Sequence, residues 1–245
     1  MATRVIVNGA RGKMGTLACE TITNHPEFEL VGALSYHDDL SATIINTQAQ
    51  IVIDLTRADC VYANSLVIIN NGAHPVIGTS GLKQEQIQHL TLLCNDKKLG
   101  GIIAPNFSIS AVLMMQFAAQ AARYISEVEI IEAHHPQKFD APSGTAIKTA
   151  EMIAATKAIS LVKKEQEHEL IAGARGGMHE GITIHSVRLP GIMARQQVIF
   201  GSPGETLTIM HDSIDRASFM PGIVLCCQKV RQLETLYYGL EHLLV

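Results

Sequence analysis

Residues 129–146 read EIIEAHHPQKFDAPSGTA and gather His134, His135, Lys138, Asp140 and the turn Ser143-Gly144-Thr145 into one short stretch. Histidine changes charge near neutral pH, so two of them beside a lysine suit the delivery of a proton to an anionic molecule. A metal loop is a weaker reading. Neighbouring residues on a strand point to opposite faces, so His134 and His135 would not close on one ion, and no H-x-x-x-H or suitably placed cysteine assists. A solvated turn and a lid without chemistry are the remaining alternatives. Ser143 is placed to cap the helical pattern that follows, and the first N–H groups of that helix, at Gly144 and Thr145, would then face a carboxylate. The stretch therefore describes a cationic pocket for an anionic substrate that also needs a proton.

The elements that must position this pocket begin far upstream. RVIVN stops at Gly9 and is followed by a helical pattern, MGTLACETITNH. FELVGAL, AQIVIDLT, PVIGTS and LGGIIAPN read as four further strands, with helical patterns at Val61–Asn71 and Lys83–Asn95. Strands alternating with helices predict a doubly wound, parallel-sheet (Rossmann-like) α/β domain. Beyond about residue 105 the pattern changes. A helix near 111–125 leads to the strand VEIIEA, the histidine stretch and a helix from about 144 to 155. Residues 156–180 read as polar and irregular. ITIHSVRL, RQQVIFG and ETLTIMHD then alternate with period two, which predicts an α+β domain with a mixed or antiparallel sheet and helices on one side. A last helix, Ala217–Gln232, returns to the first domain. The expected division is residues 1–105 with 216–245 for a dinucleotide, and 106–215 for the substrate.

GARGKMG places glycines at 9, 12 and 15, between the first strand and the first helix. Such a turn lets backbone N–H groups approach a pyrophosphate, with the helix N-terminus behind them. Position 10 is alanine, so the motif departs from G-x-G-x-x-G, and a purely geometric turn is the bland alternative. GTSG (78–81) and APNF (104–107) lie at later strand ends, where ligands of open parallel sheets sit. The second strand should end in an acid that binds the ribose, yet the chain reads ALSYHDD there. Ser35 and Tyr36 stand in its place, Asp38 and Asp39 come late, and Lys13 is available for a 2′-phosphate. NADH and NADPH both remain open.

The chain has 245 residues, 47% of them hydrophobic and 17% charged, which is the balance of a folded globule. A net charge of −4 without like-charge blocks gives no reason to expect nucleic acid or an anionic membrane as partner. Five scattered cysteines without C-x-x-C suggest a reducing cytoplasm, and no secretory signal is visible. Leu99–Ala122 carries no charge, but Gly100, Gly101 and Pro105 interrupt it. It reads as a strand, a loop and a core helix rather than a membrane span.

These motifs resemble the dihydrodipicolinate reductase (4-hydroxy-tetrahydrodipicolinate reductase) family, essentially from end to end. EIIEAHHPQKFDAPSGTA follows the family pattern E-x-H-H-x-x-K-x-D-A-P-S-G-T-A, and GARGKMG, GTSG, APNFS and HSVRLPG also agree. The resemblance implies NAD(P)H-dependent reduction of a cyclic dicarboxylate in lysine and diaminopimelate synthesis. It implies His134 as catalytic proton donor or acceptor, Lys138 as proton donor, and His135, Gly144 and Thr145 as substrate contacts. The cofactor contacts it implies are Gly9, Ala10, Arg11, Gly12, Lys13 and Met14, then Gly78, Thr79 and Ser80, then Ala104, Pro105, Asn106 and Phe107. It further implies a homotetramer assembled through the substrate domain. The departure is at Ser35–Tyr36, where many members carry an acid and an arginine. Two other readings compete: a two-domain dehydrogenase for an amino acid such as aspartate or diaminopimelate, and a non-catalytic dinucleotide sensor. The sensor would have little need of the histidine–lysine stretch.

Overall fold

The structure is a computed structural model that describes residues 2–156 and 168–244. Residues 157–167, part of the stretch read as polar and irregular, lie outside the described residues. The chain forms two compact units, Met1–Ile109 with Arg216–Val245, and Ser110–Asp215.

In the first unit β1 (Thr3–Asn8), β2 (Phe28–Leu34), β3 (Ile51–Asp54), β4 (His74–Ile77), β5 (Gly101–Ile103) and β11 (Leu236–Tyr238) make a six-stranded sheet. Its order is β11-β5-β4-β3-β1-β2, and every pair is parallel. Val5–Val7 and Ile51–Ile53 are completely buried, because helices cover both faces. Strands buried on both sides need continuous apolar runs, which is why these were legible as runs rather than alternations. Five helices belong to this unit: α1 (Lys13–Thr23), α2 (Leu40–Thr47), α3 (Val61–Asn70), α4 (Gln84–Lys97) and α7 (Met220–Lys229). On the face covered by α2, α3 and α4, Ile6, Val52 and Ile68 pack with Ile44 of α2, and further along the same face Ile77, Leu90 and Cys94 pack with Leu236 of β11. Each fully buried side chain of this size contributes roughly 1.5–3 kcal/mol.

Three elements of the described residues go beyond the sequence reading. α2 is started by Asp39, whose carboxylate accepts from Ala42 N at 2.9 Å. β11 adds a parallel strand at the β5 edge. β7 (Gly177–His179) is a short strand where an irregular segment was expected. The expected helix Ala217–Gln232 is divided: α7 proper starts at Met220 with a proline in its first turn, a position that suits a residue without an N–H, and 3-10 turns flank it.

The second unit holds α5 (Ile109–Ala121), which begins at the unit boundary, β6 (Glu127–His134), α6 (Gly144–Thr156), β7, β8 (Ile182–Arg188), β9 (Ala194–Ser202) and β10 (Glu205–Ser213). The sheet order is β10-β9-β6-β8-β7. It is mixed, since β6 and β8 run parallel while the other pairs are antiparallel. Alternation along the central strand β6 puts Ile130, Glu132 and His134 on one face. That face is covered by α6: Gln196, opposite Glu132 on β9, donates to Thr149 of α6 at 2.7 Å. Leu99–Ala122 resolves into β5, a loop and α5, and among the described residues no helix is long and apolar enough to cross a membrane.

Candidate active site

The first unit brings its candidate residues to the carboxyl ends of the strands. Gly9 has φ +89°, and a Cβ there would lie 2.5 Å from the Leu55 carbonyl oxygen, so only glycine is accommodated. A Cβ on Gly15 would lie 2.1 Å from the Gly9 oxygen, which shows how closely α1 sits on the turn. The N–H groups of Gly9 and Ala10 both reach the Leu34 carbonyl, at 3.0 and 2.9 Å, and Gly12 N–H reaches Gly9 O at 3.0 Å. The first N–H groups of α1, at Lys13 and Met14, have no partner within the helix by construction and point along its positive end. Beside the turn lies a cleft of about 720 Å³ lined by Gly9, Arg11, Gly12, Ser35, Asp38 and Arg57 among others. Ala10, Lys13 and Met14 are in the turn but do not line this cleft.

Behind the turn, Asp54 ends β3 with no exposed surface. Its carboxylate accepts from Asn8 Nδ2 (3.0 Å), Asn64 Nδ2 (2.9 Å), Thr56 Oγ1 (2.6 Å) and Thr79 Oγ1 (2.8 Å). One buried acid thus ties the end of β1 to β3, α3 and the Gly78–Ser80 segment. Ala104–Phe107 joins the same cluster, for a Cβ on Gly78 would meet the Phe107 ring at 2.4 Å. A glycine-bounded cleft at the strand ends of a parallel sheet fits a dinucleotide.

The second unit assembles its residues around His134, the last residue of β6. His134 Nδ1 lies 2.6 Å from Glu132 Oε2. Arg188, at the end of the parallel neighbour β8, grips the same carboxylate with two bonds of 2.9 Å. Glu132 has no exposed side-chain surface, and His134 retains 16%. Burial on its own would raise the Glu132 carboxyl, but hydrogen bonds from His134, Arg188 and Ser186 outweigh it and hold the group down at about 2. After His135 the chain turns, with Lys138 N–H on the His135 carbonyl at 3.1 Å. Lys138 Nζ pairs with Asp140 at 2.8 and 2.9 Å, and the Asp140 carbonyl accepts from Arg188 at 2.7 Å. Ser143 caps α6 through its hydroxyl, which accepts from Ala146 N at 3.2 Å. Gly144 then opens the helix. Among the described residues a Cβ at Gly144 would meet no atom within 4 Å, and its φ lies outside the left-handed region. Neither folding nor packing demands glycine there, whereas close approach of a ligand to the backbone would.

The sequence of this chain matches two family models, the dihydrodipicolinate reductase N-terminus over residues 3–107 and its C-terminus over residues 110–244. The chain belongs to the dihydrodipicolinate reductase family. It is 66% identical over 244 residues to the 4-hydroxy-tetrahydrodipicolinate reductase of Legionella pneumophila (strain Lens), with all of both chains covered. It is 54% identical over the same length, again with full coverage, to the enzyme of that name in Coxiella burnetii (strain Dugway 5J108-111). A dipicolinate-bound dihydrodipicolinate reductase from Paenisporosarcina sp. TG-14 superposes with a TM-score of 0.92 at 43% identity, covering 99% of each chain. Like these family members, the chain is an NAD(P)H-dependent oxidoreductase.

Glu132, Arg188 and Asp54 were not singled out from sequence. The i, i+2 spacing of Glu132 and His134 on a strand was a usable signal for the first. Arg188 and the partners of Asp54 needed the strand register.

Proposed function

We propose that this chain reduces 4-hydroxy-tetrahydrodipicolinate to tetrahydrodipicolinate in lysine and diaminopimelate synthesis, using either NADH or NADPH. The first unit holds the dinucleotide at the glycine turn, and the second holds the dicarboxylate. The reduced nicotinamide, when bound, supplies the hydride. The chain supplies the rest. The N-terminus of α6, with the Gly144 N–H and the Thr145 backbone, takes a substrate carboxylate, and His135 adds a contact. Lys138 provides positive charge and a second proton source, with Asp140 as its resting partner. His134 donates the proton that completes reduction of the ring. The observation that carries this reading is the joining of a partly exposed imidazole, a lysine and a capped helix N-terminus in a single loop.

The enzyme works in the cytoplasm as a homotetramer. Supporting assembly through the second unit, β10 is a nine-residue edge strand on which Leu207 and Met210 are exposed. Dual cofactor use is supported by the mixed charge of the adenosine cleft, where Asp38 sits with Arg11 and Arg57.

The test is a coupled assay with enzymatically generated substrate and each reduced cofactor. His134→Gln is expected to lower kcat by roughly 10²–10⁴-fold with cofactor affinity nearly unchanged. Gly144→Ala in the same assay should raise KM for the dicarboxylate while stabilising α6 by about 0.5–1 kcal/mol. Wild-type kcat in the first variant would remove His134 from the mechanism, and an unchanged KM in the second would move the carboxylate elsewhere.

A further inference from the structure

We infer that Glu132 is the positioning residue of the proton donor: clamped by Arg188, it holds the His134 ring with Nδ1–H on its own carboxylate and Nε2 turned to the substrate. The inference rests on the reading of His134 as the proton donor.

The geometry allows one arrangement of protons. An ionised carboxylate only accepts hydrogen bonds, so the nitrogen 2.6 Å from Glu132 must carry a hydrogen. Glu132 stays ionised throughout the working range, because its partners outweigh the burial that opposes the charge. A neutral His134 is therefore fixed as the Nδ1–H tautomer, and its second nitrogen is the one that takes up and releases a proton. Arg188 makes the arrangement rigid. Besides two bonds to Glu132, it donates to the carbonyls of Val187 at 2.8 Å and Asp140 at 2.7 Å. The guanidinium thus bolts the end of β6 to the end of β8 and to the loop that carries Lys138. The cation also neutralises a charge that would otherwise stand alone in a buried place, as a carboxylate without a compensating partner is costly there.

In the proton step the Nε2–H bond of the imidazolium breaks and its electron pair stays on nitrogen. The proton bonds to the ring carbon of the substrate that received the electron pair when hydride added at the far end of the C=C bond. One hydride and one proton enter the substrate, His134 ends neutral with Nδ1–H still on Glu132, and Glu132 is unchanged. The ring regains its proton from solvent through its exposed edge. The charged or titratable neighbours along this path are Glu132 on the same strand, Arg188 from β8, and His135, Lys138 and Asp140 from the loop.

A purely structural bolt between β6 and β8 would stabilise the fold but leave the tautomer undefined, and this separates the two. Nitrogen NMR of histidine-labelled wild-type protein at about pH 9, where imidazole is neutral, should find the His134 proton on Nδ1. A proton on Nε2 would overturn the inference. In Glu132→Gln the negative charge is lost and one acceptor oxygen becomes an NH₂ donor, so the two Arg188 bonds and the His134 bond cannot all be kept. The preference for Nδ1–H should weaken in the resonances, and kcat should fall roughly 10- to 100-fold with both KM values nearly constant. Glu132→Gln with wild-type kcat, alongside an inactive His134→Gln, would overturn the inference and leave the role of His134 standing. An active His134→Gln would remove both. Should Glu132→Gln fail to fold, the wild-type tautomer still decides.

Discussion

Asp54 and Glu132 are both shut off from solvent, one in each compact unit, and they are satisfied in opposite ways. Asp54 is surrounded by neutral donors, two amides and two hydroxyls drawn from β1, α3 and the loops after β3 and β4. Glu132 is held by a guanidinium and an imidazole. Neutral donors fix the distances between segments without adding charge of their own, which suits a scaffold beneath the glycine turn. Ionic partners do something else. They let the site carry a proton on a neighbouring ring while the carboxylate keeps its charge. The strand ends of the first unit are thus organised by hydrogen-bond geometry and the site of the second unit by charge.

The strongest way to break this contrast is to remove the cation. Arg188→Met keeps the aliphatic stem but strands the Glu132 carboxylate, and loss of one partner of a buried pair costs about 3–5 kcal/mol. Chemical denaturation at neutral pH should report a loss of that size. The pH dependence sharpens the point. The Glu132 carboxyl is depressed from an ordinary 4.5 to about 2 in the folded protein. A depressed acid stabilises fully above its unfolded value, and that contribution disappears as pH falls from about 4.5 toward about 2. The wild type should lose roughly 2–3 kcal/mol across that window, and Arg188→Met much less. Equal acid sensitivity in both proteins would show that Arg188 is not what keeps Glu132 ionised.

How much of this was legible follows from the range of the interactions. The strands of the first sheet announce themselves as apolar runs because helices cover both faces. His134, Lys138 and the Ser143 cap stand close together in the chain, and residue type alone drew attention to them. Arg188 is 56 residues from Glu132, and only the parallel register of β6 with β8 brings them together. Asp54 likewise meets Asn8 from 46 residues away and Thr79 from 25. A hydrogen-bond cluster of that kind leaves no periodic trace. α2, β7 and β11 escaped for a different reason: the strands have three residues each and the helix has eight, too few turns or alternations to set a period.

A smaller effect is expected on the neutral side. Asp54→Asn replaces one acceptor oxygen by a donor in a ring of donors. The two threonine hydroxyls can reverse their roles, while the Thr56 N–H, 3.2 Å from the carboxylate, cannot. The cost should be about 1–3 kcal/mol, below that of Arg188→Met. Because the acid joins the glycine turn to the Thr79 segment, NAD(P)H should bind roughly tenfold more weakly, as titration calorimetry would measure. A variant less stable than Arg188→Met would reverse the ranking and with it the distinction between the two sites.

The smallest expected effect lies where the first unit does use charge, in the cleft beside the tip of β2. Ser35 and Tyr36 leave the tip of β2 without the usual acid, but the chain folds back and places Asp38 there, with its carboxylate accepting from Ser35 N at 2.7 Å and Ser35 Oγ at 2.9 Å. Those bonds, the backbone one first, hold the carboxyl below its ordinary value, with Arg11 and His37 adding to them. An ionised carboxylate at this place would accept from a ribose 2′-OH and would repel a 2′-phosphate. Arg11 lines the same cleft and offsets that repulsion, whereas Arg57 is partly engaged by Asp59. Lys13 lies in the turn outside the cleft wall, so Arg11 is the better placed cation for a phosphate. With one acid and one cation opposed, kcat/KM for NADH and NADPH should agree within about tenfold, the ratio set by 1.4 kcal/mol. Asp38→Ala should tilt the ratio toward NADPH by about tenfold and Arg11→Ala toward NADH by a similar factor, with both shifts shrinking as salt is added. Lys13→Ala should change the ratio less than either. A wild-type preference above about a hundredfold would mean that one of the two charges governs the pocket unopposed.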